Sequence, residues 1–179
     1  MPQLTFNGTR IQFEGNTLTS PNIYDDWFLP SQDELVQIKN QLHDFGIGDF
    51  TNSIYWSSTE NTATEAVYFA FSGSGSAIPK GQLEKIRACR SFNAPISTYS
   101  LRDVGPAGGL IFIVDGTIYY EAAPYDQEQN IWSNITNVLI GTTSVSIGTG
   151  QSNTLAIINQ SGHFTSAAKI CNDLVITNY

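Results

Sequence analysis

The side chains best suited to chemistry in this sequence are two cysteines and two histidines, and their spacing matches no known kind of site. Cys89 and Cys171 lie far apart and form neither a zinc-binding nor a Cys-x-x-Cys redox motif, which favours isolated buried thiols. His43 and His163 stand alone, so we interpret them as surface or hydrogen-bonded histidines. These residues therefore predict neither a metal centre nor a redox site.

Two neighbouring acids, Asp33 and Glu34, fall in the first turn of a predicted helix. The helix dipole stabilises anions there, so a structural role is favoured over acid–base catalysis. The sequence also lacks a Ser/His/Asp order and a glycosidase-type pair of carboxylates. We therefore predict that the chain is not an enzyme and carries no cofactor.

The composition narrows the class of protein. Hydrophobic residues make up 41% of the 179 residues, enough for a packed core, but charged residues only 13%, against a usual quarter. Such a balance fits an all-β or α+β protein outside the cytoplasm or inside a large assembly. The net charge of −8, with no basic cluster, argues against binding to nucleic acid and to anionic lipid.

The sequence shows no export or membrane segment. Residues 1–7 have neither a basic region nor an apolar core, and the longest apolar run, at 110–114, is too short to span a bilayer. We therefore expect no membrane insertion. The expected location is the cytoplasm, the outside by a route without a signal peptide, or a particle such as a virion.

The elements that must position these residues begin with a small β arm at 1–23, with turns at Asn7-Gly8-Thr9 and Glu14-Gly15-Asn16. Ser31 and Glu34 then form a capping box for a helix whose apolar face ends at Phe45 and which stops near Gly46. Strands are predicted at 55–58, 66–71 and 83–92. The polar segment 72–76 is predicted to be a flexible tip.

The second half begins with a connector at 93–104 and a glycine-rich turn at 105–109. The turn precedes a strand and has no following Gly-Lys-Ser/Thr, so it is not a phosphate loop. Strands at 110–114 and 117–123 follow. Residues 124–150 are irregular, with Trp132 as an anchor, and two short helices are predicted at 152–158 and 165–174.

Six segments together resemble a bacterial and phage family of C-type-lectin-fold domains, typified by the C-terminal domain of collagen-like adhesins. In the first half they are DWFLPSQDEL at 26–35, YWSSTE at 55–60 and RACRSF at 87–92. In the second half they are GPAGGLIF at 105–112, YEAAP at 120–124, and the pair IGTG at 147–150 with AAKICNDL at 167–174. The resemblance covers residues 24–179.

The order of these segments departs from the family, in which the GPAGG segment comes first and the RSF strand last. The resemblance therefore implies a circular permutation, with 24–92 as the back half, 93–104 as connector and 105–179 as front half. Because the family's first and last strands pair antiparallel, the connector need only close a wide hairpin. Alternatively, each half is completed by a neighbouring subunit. The arm at 1–23 could serve assembly in either case.

The implied fold class is α+β: a permuted C-type lectin-like fold with two short helices, small antiparallel sheets and many loops. The Glu-Pro-Asn, Gln-Pro-Asp and Trp-Asn-Asp motifs of calcium lectins are absent, so we predict no metal. C-type lectin folds often join a helix to the last strand by a disulfide. The resemblance thus places Cys89 and Cys171 close together, either bridged or as free neighbours.

The resemblance also implies ligand-facing loops near the YWSSTE segment and the hairpin after it. The candidate residues are Thr59, Glu60, Asn61, Thr62, Glu65, Tyr68, Ser72 and Ser74, for which ordinary solvated loop residues are the alternative.

The leading functional hypothesis is a non-enzymatic phage virion protein: a tail-fibre, capsid-fibre or decoration component. Its expected partners are other virion proteins or further copies of itself as a homo-oligomer. The alternative is a receptor-binding or adhesin module on a virion or a bacterial surface, recognising a host glycan or protein. A sulfatase-modifying-type oxidase, which has a related fold, is disfavoured because Cys89 and Cys171 fall on structural elements.

Overall fold

Short strands dominate the chain, as its many turn residues and brief apolar runs dictate. The computed structural model describes residues 21–178 and, before them, only the strands at Thr5–Phe6, Ile11–Phe13 and Asn16–Thr17. The architecture is α+β, with few helices and several small, mainly antiparallel sheets. The coarse fold class predicted from the sequence is thereby confirmed.

The secondary structure contains thirteen described strands and three described α-helices. The strands are β1 (Thr5–Phe6), β2 (Ile11–Phe13), β3 (Asn16–Thr17), β4 (Asn22–Tyr24), β5 (Ile54–Glu60), β6 (Glu65–Ala70), β7 (Gly75–Pro79), β8 (Leu83–Ile86), β9 (Cys89–Asn93), β10 (Leu110–Asp115), β11 (Ile118–Ala122), β12 (Gln127–Ile131) and β13 (Ile176–Asn178). The helices are α1 (Gln32–Gln41), α2 (Gly150–Ile158) and α3 (Ala167–Asn172).

Helix α1 begins with the capping box that the sequence predicts. The Ser31 hydroxyl accepts a hydrogen bond from the Glu34 amide, and the Glu34 carboxylate accepts one from the Ser31 amide. The α-helix ends at Gln41, and a 3₁₀ turn continues to Gly46, whose φ of 69° ends it. The tighter winding of this turn rotates Phe45 out of the predicted apolar face, and its side chain is exposed.

The predicted arm has the expected strand pairing. Strand β1 pairs antiparallel with β2, and β2 with β3. The turn residues at 7–9 and 14–15 lie outside the described residues, as does Tyr179.

The largest described sheet has the order β12-β8-β5-β6-β7, and two predictions fail in it. Residues Gly75 and Ser76 belong to β7, since they pair with Phe69 and Tyr68, so the predicted flexible tip is shorter. Strand β12 falls in the stretch predicted to be irregular, and β8 supplies its partner.

The single strand predicted at 83–92 is two strands in two different sheets. Strand β8 pairs with β12, whereas β9 pairs with β11 in the sheet of order β10-β11-β9. The chain changes sheets at Arg87, whose guanidinium is buried and donates to the carbonyls of Gly48 and Ala123. These acceptors lie on other elements, so the buried side chain links the point of division to the rest of the fold.

The family's first and last strands correspond to β10 and β9, which the resemblance predicts to pair with each other. This prediction is wrong. Strand β11 lies between β10 and β9 and pairs antiparallel with both, so β10 and β9 are not neighbours. The connector at 93–104 therefore passes beyond an intervening strand instead of closing a simple hairpin.

The core joins the two halves of the chain. One cluster packs Trp27 and Trp56 from the first half with Trp132 and Cys171 from the second. The other cluster packs Leu35 and Tyr55 with Phe112 and Tyr120. A short sheet pairs β4 with β13, aligning Asn22 with Asn178 and Tyr24 with Ile176. In this structure each half is thus completed within one chain.

Candidate functional site

The predicted ligand-facing segment begins with two residues that face inward. Thr59 is buried, and its hydroxyl accepts from the Gln32 amide and donates to the Ser144 carbonyl. The Glu60 side chain is 2% exposed and lies 2.6 Å from the Lys80 ammonium, which is itself fully buried. Neither Thr59 nor Glu60 therefore faces solvent, and both hold the protein together.

The Glu60 carboxylate anchors a distant loop. It accepts hydrogen bonds from the amides of Ile140 and Gly141, each within 3.0 Å. The Lys80 ammonium also donates to the Val138 carbonyl and lies 5.0 Å from the centre of the Trp132 ring. The ion pair thus fixes the backbone of residues 138–141 beside the end of β5.

The six other candidates lie on the β5–β6 and β6–β7 connections or on β6. Asn61, Thr62, Ser72 and Ser74 are exposed, whereas Glu65 and Tyr68 are half-buried. The Asn61 side-chain amide donates to Glu65, and the Thr62 hydroxyl accepts from the Glu65 backbone, so the β5–β6 turn is held by its own polar groups. The result is a polar surface, and its ligand role remains a prediction.

The loop at 138–146 borders this surface, and sequence reasoning missed it. Thr143 accepts from the Glu60 amide, and Asn153 binds both the amide and the carbonyl of Ser144. No local sequence pattern indicates that this loop contacts β5, because residues such as Glu60 and Thr143 are more than eighty positions apart in the chain. Residues 143–146 therefore join the predicted segment as candidate recognition residues.

Residues from three segments of the lectin-type resemblance converge on one partly buried network, in which the Asp26 side chain is 40% exposed. The Arg90 guanidinium donates two hydrogen bonds to Asp26, at 2.6 and 2.9 Å, and a third to Glu121 at 3.2 Å. Glu121 is fully buried and also accepts from the amides of Ala107 and Gly109. Asp26, Arg90 and Glu121 thus tie the glycine-rich turn to β9, β11 and the chain before α1.

The environment of the buried acids fits a structural role. Burial raises the pKa of Glu121, while the amides of Gly109 and Ala107 and the Arg90 charge oppose that rise. Burial likewise raises the pKa of Glu34, whose carboxylate accepts from the amides of Ser31 and Gly148. Both carboxylates accept hydrogen bonds from backbone amides of the fold, and Glu121 also accepts one from Arg90.

The two cysteines are free thiols in this structure, and both are fully buried. They lie on β9 and α3, the elements that the resemblance implies, but the bridge is not formed here. Burial raises the pKa of both thiols, and the nearby groups Glu34 and Cys171 raise that of Cys89 further. A protonated thiol without solvent access is a poor nucleophile.

The histidines lie at ordinary structural positions. His43 contacts Asp44, with 3.1 Å between Nδ1 and Oδ1. His163 contacts the hydroxyl of Ser166, the residue that caps α3, and burial lowers the pKa of His163. Within residues 21–178, no three His, Cys, Asp or Glu side chains are grouped so that they could hold a metal ion.

The chain was compared with protein-family models, with curated proteins and with solved structures, and none of the three comparisons found a match. Among the described helices, none has the length and apolar character needed to cross a membrane. The arguments for function therefore come from the sequence motifs and the geometry described above.

Proposed function

We propose that this protein is a non-enzymatic structural component of a phage virion, in a tail fibre, a capsid fibre or a decoration protein, built on a permuted C-type-lectin-like fold. The observation that carries the proposal is the convergence of Asp26, Arg90 and Glu121. Residues from three segments of the resemblance form one hydrogen-bonded ionic network, although the chain presents those segments in an unusual order.

Two features favour an assembly role over an isolated binding module. Charged residues are sparse, at 13% of the sequence. Many large apolar side chains of residues 21–178 are exposed, among them Ile23, Ile96, Val104, Leu139 and Phe164. In an assembly, exposed side chains of this kind are available to pack against neighbouring subunits.

The experiment is quantitative mass spectrometry of density-purified particles from a phage whose genome encodes the chain. We expect the chain to co-purify at a fixed ratio to the major structural proteins, and to remain bound after washing with high salt. Its absence from washed particles, with the chain recovered only in the soluble lysate, would contradict the proposal.

The second candidate is a receptor-binding or adhesin module. The exposed polar surface around Asn61, Thr62, Ser72 and Ser74, bordered by the loop at 143–146, favours it because such residues suit adaptable recognition. A glycan array and a host-cell binding assay distinguish the two functions, since a purely structural component binds neither. Saturable binding that is lost in a Thr62→Arg variant would support the module.

A further inference from the structure

One edge of the β10-β11-β9 sheet is only partly covered. Strand β10 is an edge strand, and the connector pairs with its first residues: Arg102 and Asp103 exchange backbone hydrogen bonds with Ile111, and Val104 bridges Leu110. Within residues 21–178, no backbone group pairs with the outer side of β10 from Ile113 to Asp115. An open edge of this kind is a template for another strand.

A groove lined by both polar and apolar residues lies beside this open edge. The groove has a volume of about 550 Å³ and is lined by residues of the connector and of the β10–β11 hairpin, including Ile96, Leu101, Arg102, Val114 and Gly116. The side chain of Ile96 is 71% exposed and that of Val114 40%. An added strand would thus find apolar contacts as well as backbone partners.

Two exposed side chains of opposite charge, Arg102 and Asp115, lie at this edge. Arg102 has no ion-pair partner among residues 21–178, whereas the other lysines and arginines there each pair with a carboxylate. Its guanidinium donates to the Gln41 side chain and lies over the Phe45 ring, both of which are neutral groups. Asp115, at the far end of the open edge, is exposed and also has no ion-pair partner within residues 21–178.

We propose that the occupant of this edge is a second copy of the chain, paired antiparallel through Ile113–Asp115 about a two-fold axis at Val114. Such pairing places Asp115 of each copy beside Ile113 of the other. An Arg side chain from position 102, which is anchored at Ile111, reaches that point. A two-fold interface brings the same surface of both copies together, so the ion pair between Arg102 and the partner's Asp115 forms twice, once in each direction. The hairpin tip of each copy then lies beside the groove of the other.

This inference extends the proposed function. Pairing of two copies is argued from the edge itself, and only the role of the dimer in a virion rests on the proposed function. A monomeric chain that still co-purifies with particles overturns the inference and leaves the proposed function standing. A chain that dimerises but is absent from particles overturns the proposed function and leaves the inference standing.

The test is sedimentation velocity of the full chain over a range of micromolar concentrations, with three charge variants. We expect the wild type to dimerise reversibly, and Arg102→Asp and Asp115→Arg each to weaken association about tenfold or more. The double variant, Arg102→Asp with Asp115→Arg, restores the pair with reversed sign and recovers most of the affinity.

The matched control is Lys169→Asp, which changes the charge by the same amount as Arg102→Asp on an exposed ion pair elsewhere. The control should dimerise like the wild type. A wild type that stays monomeric throughout, or a dimer that none of the three variants alters, would overturn the inference. Circular dichroism confirms that each variant is folded, which is expected because both substituted side chains are exposed.

Discussion

At the scale of single residues, buried charge decides what the candidate segment can do. Glu60 is the last residue of β5, and in the sequence nothing distinguishes it from the polar residues Asn61 and Thr62 that follow. Its partners, Lys80 and the amides of Ile140 and Gly141, lie on other elements. Its structural role therefore depends on contacts that a local sequence pattern does not contain.

The substitution Lys80→Met tests this role while keeping the side chain's length. It leaves the Glu60 carboxylate buried without its cation, so we expect the free energy of unfolding to fall by about 3 kcal/mol or more. Lys169→Met is the matched control, because its partner Asp173 is exposed, and should cost less than about 1 kcal/mol. Urea unfolding measures both, and equal losses would contradict the buried pair.

At the scale of elements, the glycine-rich turn before β10 shows how a motif can be structural. The sequence alone already argues against a phosphate loop here. The structure adds the reason for the glycine at 109: a Cβ there would lie 1.9 Å from the Ala122 carbonyl oxygen. The amide of Gly109 meanwhile donates to the buried Glu121 carboxylate. The residue type thus follows from close packing of the turn on β11.

We expect Gly109→Ala to reduce the free energy of unfolding by about 1–3 kcal/mol or more, since the obstructing atom belongs to the backbone and cannot rotate away. Gly73→Ala is the matched control, because a Cβ at Gly73 meets nothing within 4 Å. Its effect should stay within about 0.5 kcal/mol. Chemical unfolding compares the two, and a stable Gly109→Ala protein would show that the turn is not packed in this way.

Elements with strong local signals could be predicted, and those defined by distant partners could not. The capping box at Ser31 and Glu34 and the hairpin of β10 and β11 belong to the first kind. Strand β12 and the division of 83–92 belong to the second. Strand β12 has little apolar alternation and exists through pairing with β8, and at the division the buried side chain of Arg87 contacts other elements.

At the scale of the whole molecule, the two halves of the chain interlock, and residues 22–24 lie beside residues 176–178. Both core clusters draw residues from each half. Asn178 pairs with Asn22 across the β4–β13 sheet, so a short linker could join them. This geometry supports the proposed permutation, because a domain whose first and last strands are adjacent can be joined there and opened elsewhere.

A permutant tests the arrangement directly. It begins at Thr98, runs to Asn178, continues through a Gly/Ser linker of about four residues to Asn22, and ends at Ser97. We expect it to unfold cooperatively and to match the circular dichroism of a control comprising residues 22–178 in native order. A permutant that folds only as an oligomer would favour completion of each half by a neighbouring subunit.

The sequence by itself determined the α+β class, the N-terminal caps of α1 and α3 and the β10–β11 hairpin. These properties depend on residues close together in the chain, where capping, turn chemistry and apolar periodicity act. Only the tertiary structure decided that Thr59 and Glu60 face inward and that β11 separates β10 from β9. It also decided that Arg102 and Asp115 lie at an open edge without ion-pair partners among residues 21–178. The physical reason is that burial, sheet order and charge pairing depend on partners distant in sequence, which only folding brings together.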